Sequence, residues 1–221
     1  MSTFITLPAV VLHPGKYFLQ SEAKKVTVDH YTANEFCHAT PKALGPNSIV
    51  ITQSHSGTTP ETVKAAEIAQ KAGAASVVIT FDDQSPLAKN GDYVLKYEAK
   101  ATADMTGMAF GLKLAVEILN QIEGYENYDE MMNGFDRIDG IVKHAKEFLT
   151  PRAKVFAEEY KDEKLIYMMG SGANYDVAYS FAICLLMEMQ WVNSSAIHSG
   201  EYFHGPFEIT DRETPFIILM S

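Results

Sequence analysis

Ser48-Ile49-Val50-Ile51-Thr52-Gln53-Ser54-His55-Ser56-Gly57-Thr58-Thr59-Pro60-Glu61 is the stretch that decides the fold of this chain. It opens on an apolar, β-branched run at residues 48–52 and passes through a loop of small and hydroxylic side chains at 53–59. A helix predicted over residues 60–72 follows. Val63, Ala66 and Ala69 recur along one face of that helix, and Gly73 supplies a stop just beyond it. Thr58 and Thr59 are N-cap candidates, Pro60 suits the first turn, and Glu61 stands three residues after Thr58 as in a capping box. A short buried strand leading through a loop into a helix is the unit of a parallel sheet covered on both faces.

A second stretch of the same kind begins with a strand at 165–169. It continues through Gly170-Ser171-Gly172-Ala173-Asn174 into a helix predicted to run to about Val192. Further strands are predicted at 25–29, 75–80, 93–97, 195–198 and 215–219, and the alternation with helices makes the class α/β. Helices at 106–122 and 128–148 join the halves, with Pro151 opening a new segment at a first-turn position. The two strand–loop–helix stretches read as a loose internal duplication. The expected division is a first domain at 1–120, a helical connector at 121–160, and the N-terminal part of a second domain at 161–221. The chain closes on Phe216-Ile217-Ile218-Leu219-Met220-Ser221, a core strand with no helix after it, so the second domain is expected to be incomplete.

Composition excludes several classes. The chain has 221 residues, 47% of them hydrophobic and 21% charged, which is ordinary for a globular protein able to bury a core. No apolar run approaches the roughly 18 residues of a membrane helix, and the N-terminus lacks the charged region of a signal peptide. Two cysteines, Cys37 and Cys184, imply no disulfide framework, which makes the reducing cytoplasm the expected compartment. Acidic residues outnumber basic ones by 28 to 18, for a net charge of −10, and no basic block interrupts that balance. A nucleic-acid surface is therefore not expected. An acidic protein can still hold a phosphate where backbone dipoles do the holding.

The loop at 54–59 meets that condition. The first N–H groups of a helix have no internal partner and carry partial positive charge. Ser54, Ser56 and Thr59 add hydroxyl donors at the same point, at the carboxyl end of a strand where ligands of α/β proteins bind. The plainer alternative is a well-capped helix after a tight turn. In the second half, residues 178–192 are apolar apart from Ser180, Glu188 and Gln190. A helix so apolar is expected to be buried, leaving Glu188 as a carboxylate with little water around it, suited to proton transfer. An exposed helix edge is the alternative for Glu188. In Ser199-Gly200-Glu201-Tyr202-Phe203-His204-Gly205-Pro206-Phe207-Glu208, glycine and proline frame His204 as if to present it on a rigid turn. A structural hydrogen bond is the alternative there, and His198 and Glu201 compete for the same roles. None of the seven histidines stands in a metal-ligand spacing, and Cys37-His38 is only an adjacent pair, so no metal is expected.

These residues carry a resemblance. Ser54-His55-Ser56-Gly57-Thr58-Thr59-Pro60-Glu61-Thr62 is similar to the phosphate loop of the sugar isomerase (SIS) domain. Gly170-Ser171-Gly172-Ala173-Asn174-Tyr175, Met187-Glu188-Met189-Gln190-Trp191 and the run from Gly200 to Glu208 resemble motifs of the bacterial fructosamine-6-phosphate deglycases. The likeness extends from about His13 to the end of the chain. It implies a parallel-sheet αβα sandwich of flavodoxin-like topology, one nearly complete domain and part of a second. It also implies that Glu188 is the general base and acid and that His204 assists ring opening or protonates the departing amine. Ser54, His55, Ser56, Thr59 and Ser171 would hold the substrate. The implied products are glucose 6-phosphate and a free amino acid, with no cofactor, in a homodimer or larger assembly. An aldose–ketose or aminosugar-6-phosphate isomerase and a non-catalytic sugar-phosphate-binding module are the alternatives. One departure stands out. The family opens with a strand and a Gly-Cys-Gly-Gly-Ser loop, whereas Phe4-Ile5-Thr6-Leu7-Pro8-Ala9 occupies that place here, so strand and loop are both expected to be missing.

Overall fold

The computed structural model describes residues 2–7, 11–98 and 103–220, with side chains placed over 11–98 and 106–220. The chain divides into two compact units, 1–128 and 129–221. In the first, five parallel strands pair in the order β2-β1-β3-β4-β5: β1 Ser2–Leu7, β2 Thr27–Thr32, β3 Ser48–Gln53, β4 Ala75–Thr80 and β5 Tyr93–Lys96. Helices α1 His13–Glu22, α2 Ala33–His38, α3 Pro60–Lys71 and α4 Ala103–Glu123 accompany them.

Residue chemistry accounts for the order. β3 and β4 are β-branched and buried along nearly their whole length, as strands with neighbours on both sides and helices on both faces must be. β5 at the edge is largely exposed. Alternation along the strands then sorts the core. Ile51, Val77 and Ile79 pack with Leu12, Leu19, Ala115 and Leu119 of the α1 and α4 side. Val50 packs with Phe36, Ala65 and Ala69 of the α2 and α3 side. A clamp closes the far end of this layer: the Glu123 carboxylate accepts backbone N–H bonds from Lys24, Lys25 and Val26 at 2.7 to 3.1 Å.

Three expectations change in this unit and at its border. The first strand, expected to be missing, is present as β1, paired with β2 on one side and β3 on the other (Ile5 opposite both His30 and Ile51). The run Thr3-Phe4-Ile5-Thr6-Leu7 has the β-branched and aromatic composition that a strand needs. Pro8 and Ala9, where the glycine loop was sought, lie outside the described residues. The connector is one helix, α5 Tyr128–Tyr160, and Pro151 lies inside it instead of opening a new segment. Proline removes a single backbone donor from a helix of 33 residues. Beside it, the Thr150 hydroxyl donates to the Lys146 carbonyl at 2.6 Å. None of the residues of α5 is buried, and Ile141, Phe148, Leu149 and Val155 stand in solvent.

The second unit holds a parallel sheet in the order β7-β6-β8, from β6 Leu165–Gly170, β7 Asn193–His198 and β8 Phe216–Ile218. That order matches β2-β1-β3, so β6 is the counterpart of β1. The duplication read between the stretches at 48 and 165 therefore pairs strands of different rank. The helix after β6 is α-helical only over α6, Ala173–Ser180. It continues as wider turns with i→i+5 bonding over Phe181–Met189 and ends at Gln190, short of Val192. Ala178, Ala182 and Leu186 line its buried side, against Ile166 and Met168 of β6.

Candidate active site

The loop at 54–59 leaves β3 at the carboxyl edge of the first sheet and is pinned to the neighbouring strand. Ser54 donates its N–H to the Ile79 carbonyl at 3.2 Å. The His55 carbonyl accepts from the Phe81 N–H at 3.2 Å and the Thr80 hydroxyl at 3.0 Å, and the Gly57 carbonyl accepts from Leu87 N–H at 3.0 Å. Gly57 turns at φ +66, and a Cβ there would overlap the Ser85 side chain, so glycine is required twice over.

The hydroxyls of the loop satisfy one another. Ser54 Oγ pairs with Thr59 Oγ1 at 2.9 Å and Ser56 Oγ with Thr58 Oγ1 at 2.7 Å. Thr59 takes the cap position of α3, yet no side chain caps the helix, and the capping box read from Thr58 and Glu61 is not formed. Thr59 is held towards Ser54, and the first free N–H groups of α3 are left for an incoming acceptor. The loop carries no lysine or arginine. His55 is exposed, and its Nδ1 lies 3.0 Å from the hydroxyl of buried Tyr97, with Phe81 against the ring at 4.6 Å. Ser54, His55, Ser56 and Thr59 are thus brought together as one constellation.

Beneath the loop, buried polar atoms lack hydrogen-bond partners among the described residues: Thr52 Oγ1, Gln53 Oε1, Thr62 Oγ1 and, on β2, His30 Nε2. Burial foremost, then the neighbouring His13 and Lys16, lowers the His30 pKa to about 3, so its imidazole is neutral at ordinary pH. The His13 and His30 rings meet edge-on at 4.2 Å.

In the second unit Ser171 follows the last residue of β6, and Gly170 is paired with His198 at the end of β7. Ser171, the turn Ser199–His204 and Met220 therefore emerge at one edge of the sheet. Asn174 Nδ2 donates to the Met220 carbonyl at 3.1 Å, and the Gly200 N–H donates to His198 Nδ1 at 3.1 Å. The Tyr175 ring lies 5.2 Å from that of His198. Its phenol is held above its ordinary pKa by burial, then by Asp176, Glu201 and Tyr179. His204 is exposed at the end of the turn, before Gly205 at φ 143. Glu188 is exposed as well, which overturns the expectation of a carboxylate held from water. Leu186 occupies the buried side, and a residue two places on lies across the helix from it. Trp191, just past the helix, is 89% exposed and adopts φ 59, a left-handed conformation costly for a bulky side chain.

Gln53, Thr62 and Tyr97 lie at the site without having been candidates in the sequence. Gln53 lies inside the stretch at 48–61 and Thr62 directly after it, and their signal is a polar residue at a buried strand end and on a buried helix face. Tyr97 had no local signal, because its link to His55 spans 42 positions.

Fold and loop together define a doubly wound α/β protein with an uncapped helix N-terminus beside its central strands. The chain belongs to the SIS domain family, whose domain matches residues 15–121. It is 44% identical over 215 residues to the fructosamine deglycase FrlB of Bacillus subtilis (strain 168), covering 96% of this chain and 66% of that protein. Fructoselysine 6-phosphate deglycase of Escherichia coli (strain K12) is 25% identical over 187 residues, or 85% of this chain and 55% of that one. A crystal structure from Salmonella typhimurium LT2, provisionally described as a phosphosugar isomerase, superposes with a TM-score of 0.95 at 47% identity, covering 100% of this chain and 68% of that one. The chain thus spans 55 to 66% of the length of these two curated deglycases.

Proposed function

We propose that the protein is part of a deglycase that converts a 6-phosphorylated fructosamine to glucose 6-phosphate and a free amino acid. The observation that carries this reading is the uncapped N-terminus of α3, where Thr59 turns its hydroxyl to Ser54 and leaves backbone donors for a phosphate. The similarity to two deglycases directs the chemistry. A ketosamine loses a proton from C1 to give an enaminol and regains one at C2. The resulting C1 imine, the open form of a glucosylamine, is hydrolysed by water, releasing the amine. Glu188 is the base and acid of that transfer, and His204 opens the ring or protonates the departing amine. Ser54, His55, Ser56 and Thr59 hold the phosphate end, and Ser171 contributes to the sugar site.

Phosphorylated sugars do not cross membranes unaided, so the cytoplasm is the compartment this substrate implies. No helix among the described residues is long and apolar enough to span a membrane. Exposed apolar side chains along α5 support a homo-oligomer, which sedimentation velocity would register as a mass at least twice that of the chain.

Incubation with several phosphorylated ketosamines, with glucose 6-phosphate followed by a coupled assay, tests the reading. Release is expected with at least one of them, and Glu188→Gln should abolish it while leaving binding intact. The Salmonella relative, described as a phosphosugar isomerase, favours an isomerase as the second reading, and the aldose–ketose reaction is the form to test. Interconversion of free sugar phosphates without any release from ketosamines would select it.

A further inference from the structure

We infer that the side-chain amide of Gln53 binds a sugar hydroxyl of the phosphorylated ligand, a role separate from the phosphate contacts of the loop. The inference rests on the phosphate reading of residues 54–59. Gln53 is the last residue of β3, only 2% exposed, and directly precedes Ser54. Strand alternation sets it on the same face as Ile51, towards α1 and α4, and away from the α3 side that Thr52 faces. Its Oε1 has no hydrogen-bond partner among the described residues.

Leaving a buried primary amide carbonyl unpaired is costly, and an apolar side chain of the same shape would avoid the cost. Room has nevertheless been made for it. A Cβ on Gly107 of α4 would fall 2.6 Å from Gln53 Oε1 and would also overlap Nε2 and the Val11 side chain. A backbone without a Cβ thus faces the amide from the helix, at the carboxyl edge where β1 and β3 lie side by side. This is the crevice in which an open α/β sheet of this order receives its ligand. An amide offers one acceptor and two donors, and an alcohol is both donor and acceptor, so a polyol hydroxyl next to the bound phosphate satisfies it. Inorganic phosphate, which has no carbon chain, cannot.

Isothermal titration with fructose 6-phosphate and with inorganic phosphate separates the two roles. For Gln53→Met and Gln53→Leu, the Kd for fructose 6-phosphate should rise about tenfold, the loss of one buried hydrogen bond, while that for inorganic phosphate stays within about twofold. The same variants should melt at an unchanged or higher temperature, since an orphaned polar group has been removed. Unchanged fructose 6-phosphate affinity in either folded variant overturns the inference and leaves the phosphate reading standing. Equal weakening for both ligands overturns it too, because the effect then runs through the loop. If the unaltered protein binds neither ligand, the phosphate reading and this inference fall together.

Discussion

Gly57→Ala tests the account of the loop most directly, because the structure opposes a side chain there on two grounds. The backbone sits at φ +66, a left-handed conformation that costs an L-residue about 1–2 kcal/mol. The new Cβ would also overlap Ser85, a residue 2% exposed whose Oγ accepts the Ala88 N–H at 3.2 Å and so cannot simply swing away. Forcing an extra carbon into a filled site adds about 1–3 kcal/mol. The sum, about 2–5 kcal/mol, corresponds to a fall in melting temperature of roughly 8–20 °C for a unit of this size. Thermal unfolding followed by circular dichroism reads it, alongside titration with fructose 6-phosphate, whose binding should weaken because the Leu87 contact and the α3 N-terminus shift together. Gly57→Ala combined with Ser85→Gly removes the overlap with Ser85 but not the backbone strain, and it gives up the bond to the Ala88 N–H, so it should recover less than half of the loss. A melting temperature within about 2 °C of the unaltered protein, with binding intact, would show that the loop tolerates a side chain at Gly57.

Three further outcomes are expected. His30 stays neutral in the fold down to about pH 3 but takes a proton near 6.5 once unfolded. Its contribution is therefore complete above pH 6.5 and is lost as pH falls towards 3, at a slope of at most about 1.4 kcal/mol per pH unit, less after solvent screening. Urea titrations of His30→Phe across that window should show a flatter dependence. At Glu123 burial works to raise the carboxyl pKa, yet the backbone N–H bonds from Lys25, Lys24 and Val26 outweigh it and hold it below the usual value. Stability from this clamp is present at neutral pH and lost in acid, so Glu123→Gln should lower the neutral melting point and narrow the gap to the acid one. Tyr97→Phe removes the partner of His55 Nδ1 and should weaken fructose 6-phosphate binding about two- to tenfold without loss of fold, as measured by titration calorimetry.

Much of the architecture was legible because local pattern and tertiary role coincide. Strands β3 and β4 are buried on both faces, so their apolar runs announce a parallel sheet. α3 carries its start and stop in Pro60 and Gly73. β1 departs from the motif expected at its position, yet Thr3-Phe4-Ile5-Thr6-Leu7 has strand composition by itself. Pro151 misled for a related reason: helix propensity is a weak prior, and one missing hydrogen bond does not end a helix of 33 residues.

That hydroxyls and a helix start meet at residues 54–59 is legible in the sequence alone, since both are local facts. Which groups remain free there depends on the packing around the loop. Thr59 turns its hydroxyl to Ser54 and leaves the helix uncapped, because its backbone is held by a loop bonded to β4 and to the turn around Ser85. Only packing decided Glu188 as well. Leu186 docks against the sheet, so the carboxylate two places on faces water, a side of the helix that an almost wholly apolar stretch does not reveal.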